Sequence, residues 1–269
     1  MRTILIALLC ASSLYAQDNF LVWPNISIEE FVSNTVDDTF KVYIKLPDGY
    51  NGSEESYPVL YLLDGDITFP TALGAVQYLD FGNYFHELII VGIGYNTLDW
   101  RKGNMRNRDY TAMSTPERPY QGGAGKFMIF LKDELVPSID KQYRTDTDNR
   151  ILFGHSLGGQ MVLYSFLNEP NMFSMYIASS PFILEVKDLL LSRLNANSDI
   201  IRNSNSKLFV SVGSEESRED YGIPVNELVK KSQVVSGSKD KVRFIEFDEE
   251  SHFTVPARAL VKGLLELSK

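Results

Sequence analysis

Arg150-Ile151-Leu152-Phe153-Gly154-His155-Ser156-Leu157-Gly158-Gly159-Gln160-Met161 is the stretch whose reading decides the fold. A short apolar run, Ile151 to Phe153, leads into Gly154-His155-Ser156-Leu157-Gly158. Beyond Gly159, residues Met161, Val162, Tyr164, Ser165 and Phe166 fall at helical spacing. Strand, sharp turn and helix follow one another. A turn this tight strains the backbone at its apex and needs flanking residues without bulk, and Gly154 and Gly158 occupy those flanks. The geometry lifts the Ser156 hydroxyl clear of a sheet and aims the first amides of the following helix at any oxyanion formed there. The bare pattern G-x-S-x-G arises by chance in roughly one chain of this length in ten, so its meaning depends on the rest of the sequence.

Outward from that turn, the chain alternates between two signatures. Pro58–Leu63, Leu88–Ile93, Met175–Ala178 and Leu208–Val212 are short apolar runs that suit strands buried on both faces, and Val242–Phe247 alternates. Between them, Lys126–Ile139, Met161–Leu167, Asn226–Gln233 and Ala257–Leu267 carry helical periodicity. Ser27–Val36 and Phe40–Leu46, joined by Asp37-Asp38, predict an antiparallel hairpin at the start. Strands alternating with helices predict an α/β fold with a mostly parallel sheet and helices on both faces. Two stretches fit neither pattern. Residues 94–125 are too long for an ordinary connection and are expected to be functional, and Phe182–Lys207 reads as one or two short helices. Both belong at the carboxyl ends of the strands, where such folds place their sites.

Residues 1–16 carry Arg2, an apolar run from Ile4 to Cys10, and small and polar residues ending at Ala16. This predicts a cleaved secretory signal, leaving 17–269 as a single domain that is secreted or periplasmic; bulky Leu9 before Cys10 argues against a lipoprotein. Cys10 is the only cysteine, so the mature chain forms no disulfide and depends on its core. A net charge of −9 argues against nucleic-acid binding, and no other stretch is long and apolar enough for a membrane span. Oligomeric state is not readable.

Ser156 needs a base. The histidines are His86, His155 and His252. His86 precedes a strand, at the wrong end of the sheet, and His155 lies inside the turn facing away. His252 follows the last strand, at its carboxyl end, and is the candidate base. An acid to orient it belongs after Leu208–Val212, where Glu215, Glu216, Glu219 and Asp220 compete. Glu216 is preferred and Glu215 comes next. For the oxyanion, the backbone amides of Leu157 and of Asp66, in the turn Asp64-Gly65-Asp66, are the candidate donors. Asp64 and Asp66 have no histidine or acid cluster beside them in sequence, so no metal is expected.

Several segments together resemble the putative-esterase family of α/β-hydrolases, which includes esterase D, feruloyl esterases, mycolyltransferases and the trilactone esterases that open ferric-siderophore esters. Tyr57-Pro58-Val59-Leu60-Tyr61-Leu62-Leu63-Asp64-Gly65-Asp66 is similar to the family's third strand and oxyanion turn. Arg106-Asn107-Arg108-Asp109-Tyr110-Thr111 resembles its Arg-x-Arg-Asp segment, and Gly122-Gly123-Ala124-Gly125-Lys126-Phe127 and Phe130-Leu131-Lys132-Asp133-Glu134-Leu135-Val136-Pro137 resemble the following helix. The likeness covers nearly all of the chain after residue 16. It implies an α/β-hydrolase fold and a serine hydrolase with Ser156 as nucleophile and His252 as base. Asp64-Gly65 stands where many members have His-Gly; the siderophore-esterase branch is often Asp-Gly, and some of its members work without a triad acid.

The reaction expected is hydrolysis of a small-molecule carboxylic ester without a cofactor. Acyl transfer by the same nucleophile, or a non-catalytic binding role on the same fold, are the alternatives. Arg101, Lys102, Arg106 and Arg108 put four positive charges within eight positions of an acidic chain. Arg106 and Arg108 are therefore expected to bind an anionic ester, or else to order the loop by pairing with acids such as Asp99 and Asp109.

Overall fold

The computed structural model of the chain describes residues 23–84 and 87–266. The expected signal segment and His86 lie outside them. In chain order the elements are β1 (Ile26–Ser33), β2 (Asp38–Lys45), β3 (Tyr57–Leu62), α1 (Gly65–Phe81), β4 (Ile89–Gly94) and the short α2 (Arg106–Asp109). Next come α3 (Ala124–Ile129), α4 (Val136–Gln142), β5 (Thr145–His155), α5 (Leu157–Asn168) and β6 (Met175–Ser179). The chain ends with α6 (Lys187–Ala196), α7 (Ser198–Asn203), β7 (Lys207–Gly213), α8 (Ile223–Ser236), β8 (Val242–Phe247) and α9 (Val255–Leu265).

The eight strands form one sheet in the order β1-β2-β4-β3-β5-β6-β7-β8. β1 and β2 are the expected hairpin, β2 runs antiparallel to β4, and every pair from β4 to β8 is parallel. This is the α/β-hydrolase fold. Side chains of a strand alternate between faces, and the core is divided accordingly. Val59, Tyr61 and Leu63 join the apolar cluster under α5 and α8, whereas Leu60 and Leu62 join the one under α1 and α9.

Two helices depart from the sequence reading. The periodicity gave no helix over Gly65–Phe81, yet α1 is there, burying Phe69, Ala72, Leu73 and Leu79. Its interior holds Pro70, a residue that removes a helix donor and reads as a breaker; packing against β4 and α9 outweighs that local cost. The helix expected over Lys126–Ile139 is real but not uniform. Between α3 and α4 the turn Phe130–Leu135 is a π-helix, with the Val136 amide reaching back to the Leu131 carbonyl. Pro137 follows at once and lacks an amide, so the ladder is re-registered just where a donor is missing.

Candidate active site

β5 ends at the sharp turn. Ser156 has φ 58° and ψ −116°, a conformation rarely adopted by a residue with a side chain, and such strain costs on the order of 1–3 kcal/mol. The surroundings hold it there. The Ser156 amide donates to the Ser179 carbonyl at 3.0 Å, and the Ser156 carbonyl accepts from the amides of Gln160 and Phe182. A Cβ on Gly154 would come within 2.4 Å of the Gly158 carbonyl oxygen, so only glycine lets strand and helix meet this closely. Leu157 opens α5, in the first turn where helix amides have no partner within the helix.

The turn after β3 closes the site from the other side. Asp64 sits in the left-handed region at φ 55°, and α1 starts at the next residue. Its amide donates to the Tyr110 hydroxyl at 3.1 Å, and its buried carboxylate takes both ends of the Arg106 fork, Nε at 2.7 Å and Nη2 at 3.0 Å. Asp66 lies in the first turn of α1. Its carboxylate is turned back to the sheet, accepting from the Tyr43 hydroxyl at 2.6 Å and the Tyr95 amide at 2.7 Å.

Of the four acids after β7, Glu216 is the one whose carboxylate meets His252, with Oε1 2.5 Å from Nδ1. Its other oxygen accepts from the Ser180 hydroxyl and the Gly213 amide, both at 2.6 Å. Burial would push this carboxyl up, but the bonds from His252, Ser180 and Gly213 outweigh it and hold the group below the ordinary glutamate value. With the carboxyl ionised, Nδ1 is the nitrogen that donates to it, and in a neutral imidazole so held Nε2 is left as an acceptor. Two loops are joined to make this possible. The Ser214 amide donates to the Phe247 carbonyl and the Glu215 amide to the Glu250 carbonyl, and a Cβ on Gly213 would lie 2.1 Å from the Glu250 carbonyl oxygen. The His252 ring packs between His155, at 4.5 Å between centroids, and Tyr221, at 4.8 Å.

Ser156 opens into a cleft of about 370 Å³ walled by the two stretches that fitted neither strand nor helix pattern. Arg106, Asn107, Arg118 and Tyr120 come from one, Phe182 and Glu185 from the other, and Tyr221 from the turn after β7. Arg108 does not line it. Its guanidinium is held by Asp109 at 2.7 Å and by Asp38 of the hairpin at 2.9 Å, the pairing with acids that stood as the alternative to binding an anionic ester. Arg101 likewise pairs with Asp99. Arg118, which the sequence reading passed over, forms a two-pronged pair with Glu185 across the cleft, both bonds 3.1 Å. Gln160 and Ser180 were missed as well. Buried Gln160 accepts from the Ala112 amide and donates to the Phe182 carbonyl, tying both cleft walls to α5. Only their polarity beside the Ser156 turn and after β6 could have marked them.

No cluster of histidine, cysteine, aspartate and glutamate able to hold a metal occurs among the described residues. No helix among them is long and apolar enough to cross a membrane.

The comparisons with known proteins agree with this architecture. The family model described as "Putative esterase" matches residues 33–247. The ferri-bacillibactin esterase BesA of Bacillus subtilis is 30% identical over 256 residues, spanning 88% of this chain and 87% of that protein. The apo-salmochelin esterase of Escherichia coli is 26% identical, over 98% of this chain and 89% of that one. Among solved structures, the BES protein from Bacillus cereus superposes with a TM-score of 0.81 at 28% identity, over 94% of this chain and 98% of that one. An IroE-like serine hydrolase from Shewanella oneidensis gives 0.77 at 27% identity, over 90% and 79%. With the family model covering most of its length, this chain belongs to the putative esterase family and is a serine carboxylic-ester hydrolase of the α/β-hydrolase fold.

Proposed function

We propose that the chain hydrolyses siderophore-type esters through Ser156, His252 and Glu216. The observation that carries the reading is the buried carboxylate side chain of Glu216 on Nδ1 of His252, whose ring packs on His155, the residue before a serine in a strained turn that lines the cleft. His252 Nε2 takes the Ser156 proton as Oγ adds to the ester carbonyl. The amides of Leu157 and Asp66 stabilise the resulting oxyanion. His252 then returns the proton to the leaving alcohol, the carbonyl–alkoxy bond breaks, and water repeats the sequence on the acyl-enzyme. Glu216 orients the ring and stabilises its charged form.

The substrate class is supported by the names of the relatives, an esterase of ferri-bacillibactin and one of apo-salmochelin. Arg106 fits that class. Two of its donors hold Asp64, and the side chain, a quarter exposed, is in the cleft wall where an oxygen-rich anion would lie. A secreted or periplasmic location is supported by the pattern of residues 1–16. The test is Ser156→Ala. Turnover of an aryl ester and of a ferric trilactone should fall by several powers of ten, in line with the roughly million-fold loss of a serine protease without its nucleophile. A fluorophosphonate should label the wild type and not the variant. Hydrolysis by Ser156→Ala near the wild-type rate would refute the reading.

A further inference from the structure

An ion pair joins the walls of the cleft. Arg118 comes from segment 94–125 and Glu185 from the turn Leu184–Val186, and the two side chains meet as a parallel fork, Nη1 to Oε2 and Nη2 to Oε1, each 3.1 Å. Both residues line the same cavity as Ser156 and Leu157. Each wall is also tied to the serine turn or to the helix it opens. The Phe182 amide donates to the Ser156 carbonyl at 3.2 Å, and the Ala112 amide donates to the Gln160 side chain of α5 at 3.1 Å. The pair therefore stands in the space that receives an ester on Ser156.

Among the described residues that line the cleft, the charged ones are Arg106, Arg118 and Glu185. Both arginines have a carboxylate partner, but the partners are held differently. The Asp64 side chain is 11% exposed, so releasing Arg106 from it would strand a buried charge. The Arg118 and Glu185 side chains are 45% and 44% exposed. When such a pair parts, water solvates both ends, and its attraction changes an equilibrium by no more than about five-fold. Arg118 can therefore exchange its partner, whereas Arg106 is fixed to its own. Glu185 offers the fork two oxygens of a planar anion. An incoming group that offers the same replaces both bonds, and a neutral group replaces neither at full strength.

We propose that Arg118 is the exchangeable anion receptor of the cleft and that Glu185 is its resident competitor, displaced by a substrate carrying a two-oxygen anion. This rests on the reading of the chain as an esterase of siderophore-type, oxygen-rich esters through Ser156, and it adds which residue receives the anion and which one opposes it. Because the fork is already filled in the free protein, an anion gains only the difference between its own bonds and those of Glu185. Anions that present a single oxygen gain little, and those that fit both prongs are selected.

The experiment follows hydrolysis of a neutral ester, p-nitrophenyl acetate, inhibited by benzoate or by benzamide, which match in size and differ in charge. The quantity read is the preference for the anion, the Ki of benzamide divided by the Ki of benzoate, in the wild type, Glu185→Gln and Arg118→Gln. Removing the competitor should raise the preference about five-fold in Glu185→Gln. Removing the receptor should leave Arg118→Gln below the wild type and roughly ten-fold below Glu185→Gln, the scale of one charge-assisted hydrogen bond. Opposite signs are the signature, because a pair that only braces the two walls is broken alike by either substitution. Preferences that move in the same direction in both variants, or that move in neither, would overturn the assignment. Ser156→Ala in the uninhibited reaction answers separately for the nucleophile: turnover that survives it would refute the esterase reading, whatever the two preferences show.

Discussion

Glu216 shows at the residue scale how a site can be tuned by which atoms are already occupied. Its Oε2 accepts from Ser180 and from the Gly213 amide, so only Oε1 is left for His252. In Glu216→Gln the carbonyl oxygen would stay with those two donors and the amide nitrogen would turn to Nδ1. An N–H there forces the proton of His252 onto Nε2, the tautomer that cannot accept from serine. We expect kcat to fall by roughly four powers of ten with a small change in KM, as for an aspartate-to-asparagine change in a serine protease. Steady-state kinetics with a thermal melt checks it; wild-type kcat would mean that His252 works without an orienting acid. Arg106 makes a different case, because it serves both Asp64 and the cleft. Arg106→Met leaves a buried carboxylate without its partner, and that should slow every ester through the disturbed turn. An anionic ester should lose roughly a further ten-fold, the scale of one charge-assisted hydrogen bond. Equal losses on anionic and neutral esters of matched size would confine Arg106 to holding Asp64.

At the scale of elements, the site depends on close approaches that admit no side chain. Gly213 is where the loop after β7 and the loop after β8 touch. Gly213→Ala would drive a methyl group into the Glu250 carbonyl and push His252 away from Glu216. Overpacking of this kind costs about 1–3 kcal/mol, so we expect a lowered melting temperature together with a larger loss of activity, measured on the same sample. Unchanged activity would show that the two loops separate without consequence. These elements also show what is legible in a sequence. Strands β3 to β7 announce themselves because their central residues are buried on both faces and read as apolar runs, β8 by its alternation, and Ser156 stands out because its turn demands glycines in fixed places. The acid could be narrowed only to a cluster, since Glu215, Glu216, Glu219 and Asp220 differ in the direction of their side chains and not in type. Helix α1 was hidden by Pro70, a local signal overruled by tertiary packing. Arg108 looked like Arg106 until Asp38, seventy residues away in the chain, came beside it.

For the molecule as a whole, the site places a cost on stability in acid. His155 is half-buried against His252, and desolvation first, then the neighbouring ring, pulls its pKa down from 6.5 to about 3. In the unfolded chain the same residue protonates near 6.5. Between those values the unfolded state binds the extra proton, so stability from this residue is complete above about pH 6.5 and is lost as pH falls toward 3. At 1.36 kcal/mol for each unit, the loss reaches about 2 kcal/mol by pH 5. Glu216 works with the same sign but lower down, because its depressed carboxyl gives stability that is present above the ordinary glutamate value and lost below it. The windows separate the two groups. His155→Gln removes the upper one and leaves the lower. Urea unfolding at pH 8 and pH 5 should therefore show a drop in wild-type stability that exceeds the drop in His155→Gln by about 2 kcal/mol, whatever the variant loses at pH 8. Equal drops in the two proteins would mean that His155 protonates as readily folded as unfolded, and that its burial against the Ser156 turn has no hold on the stability of the fold.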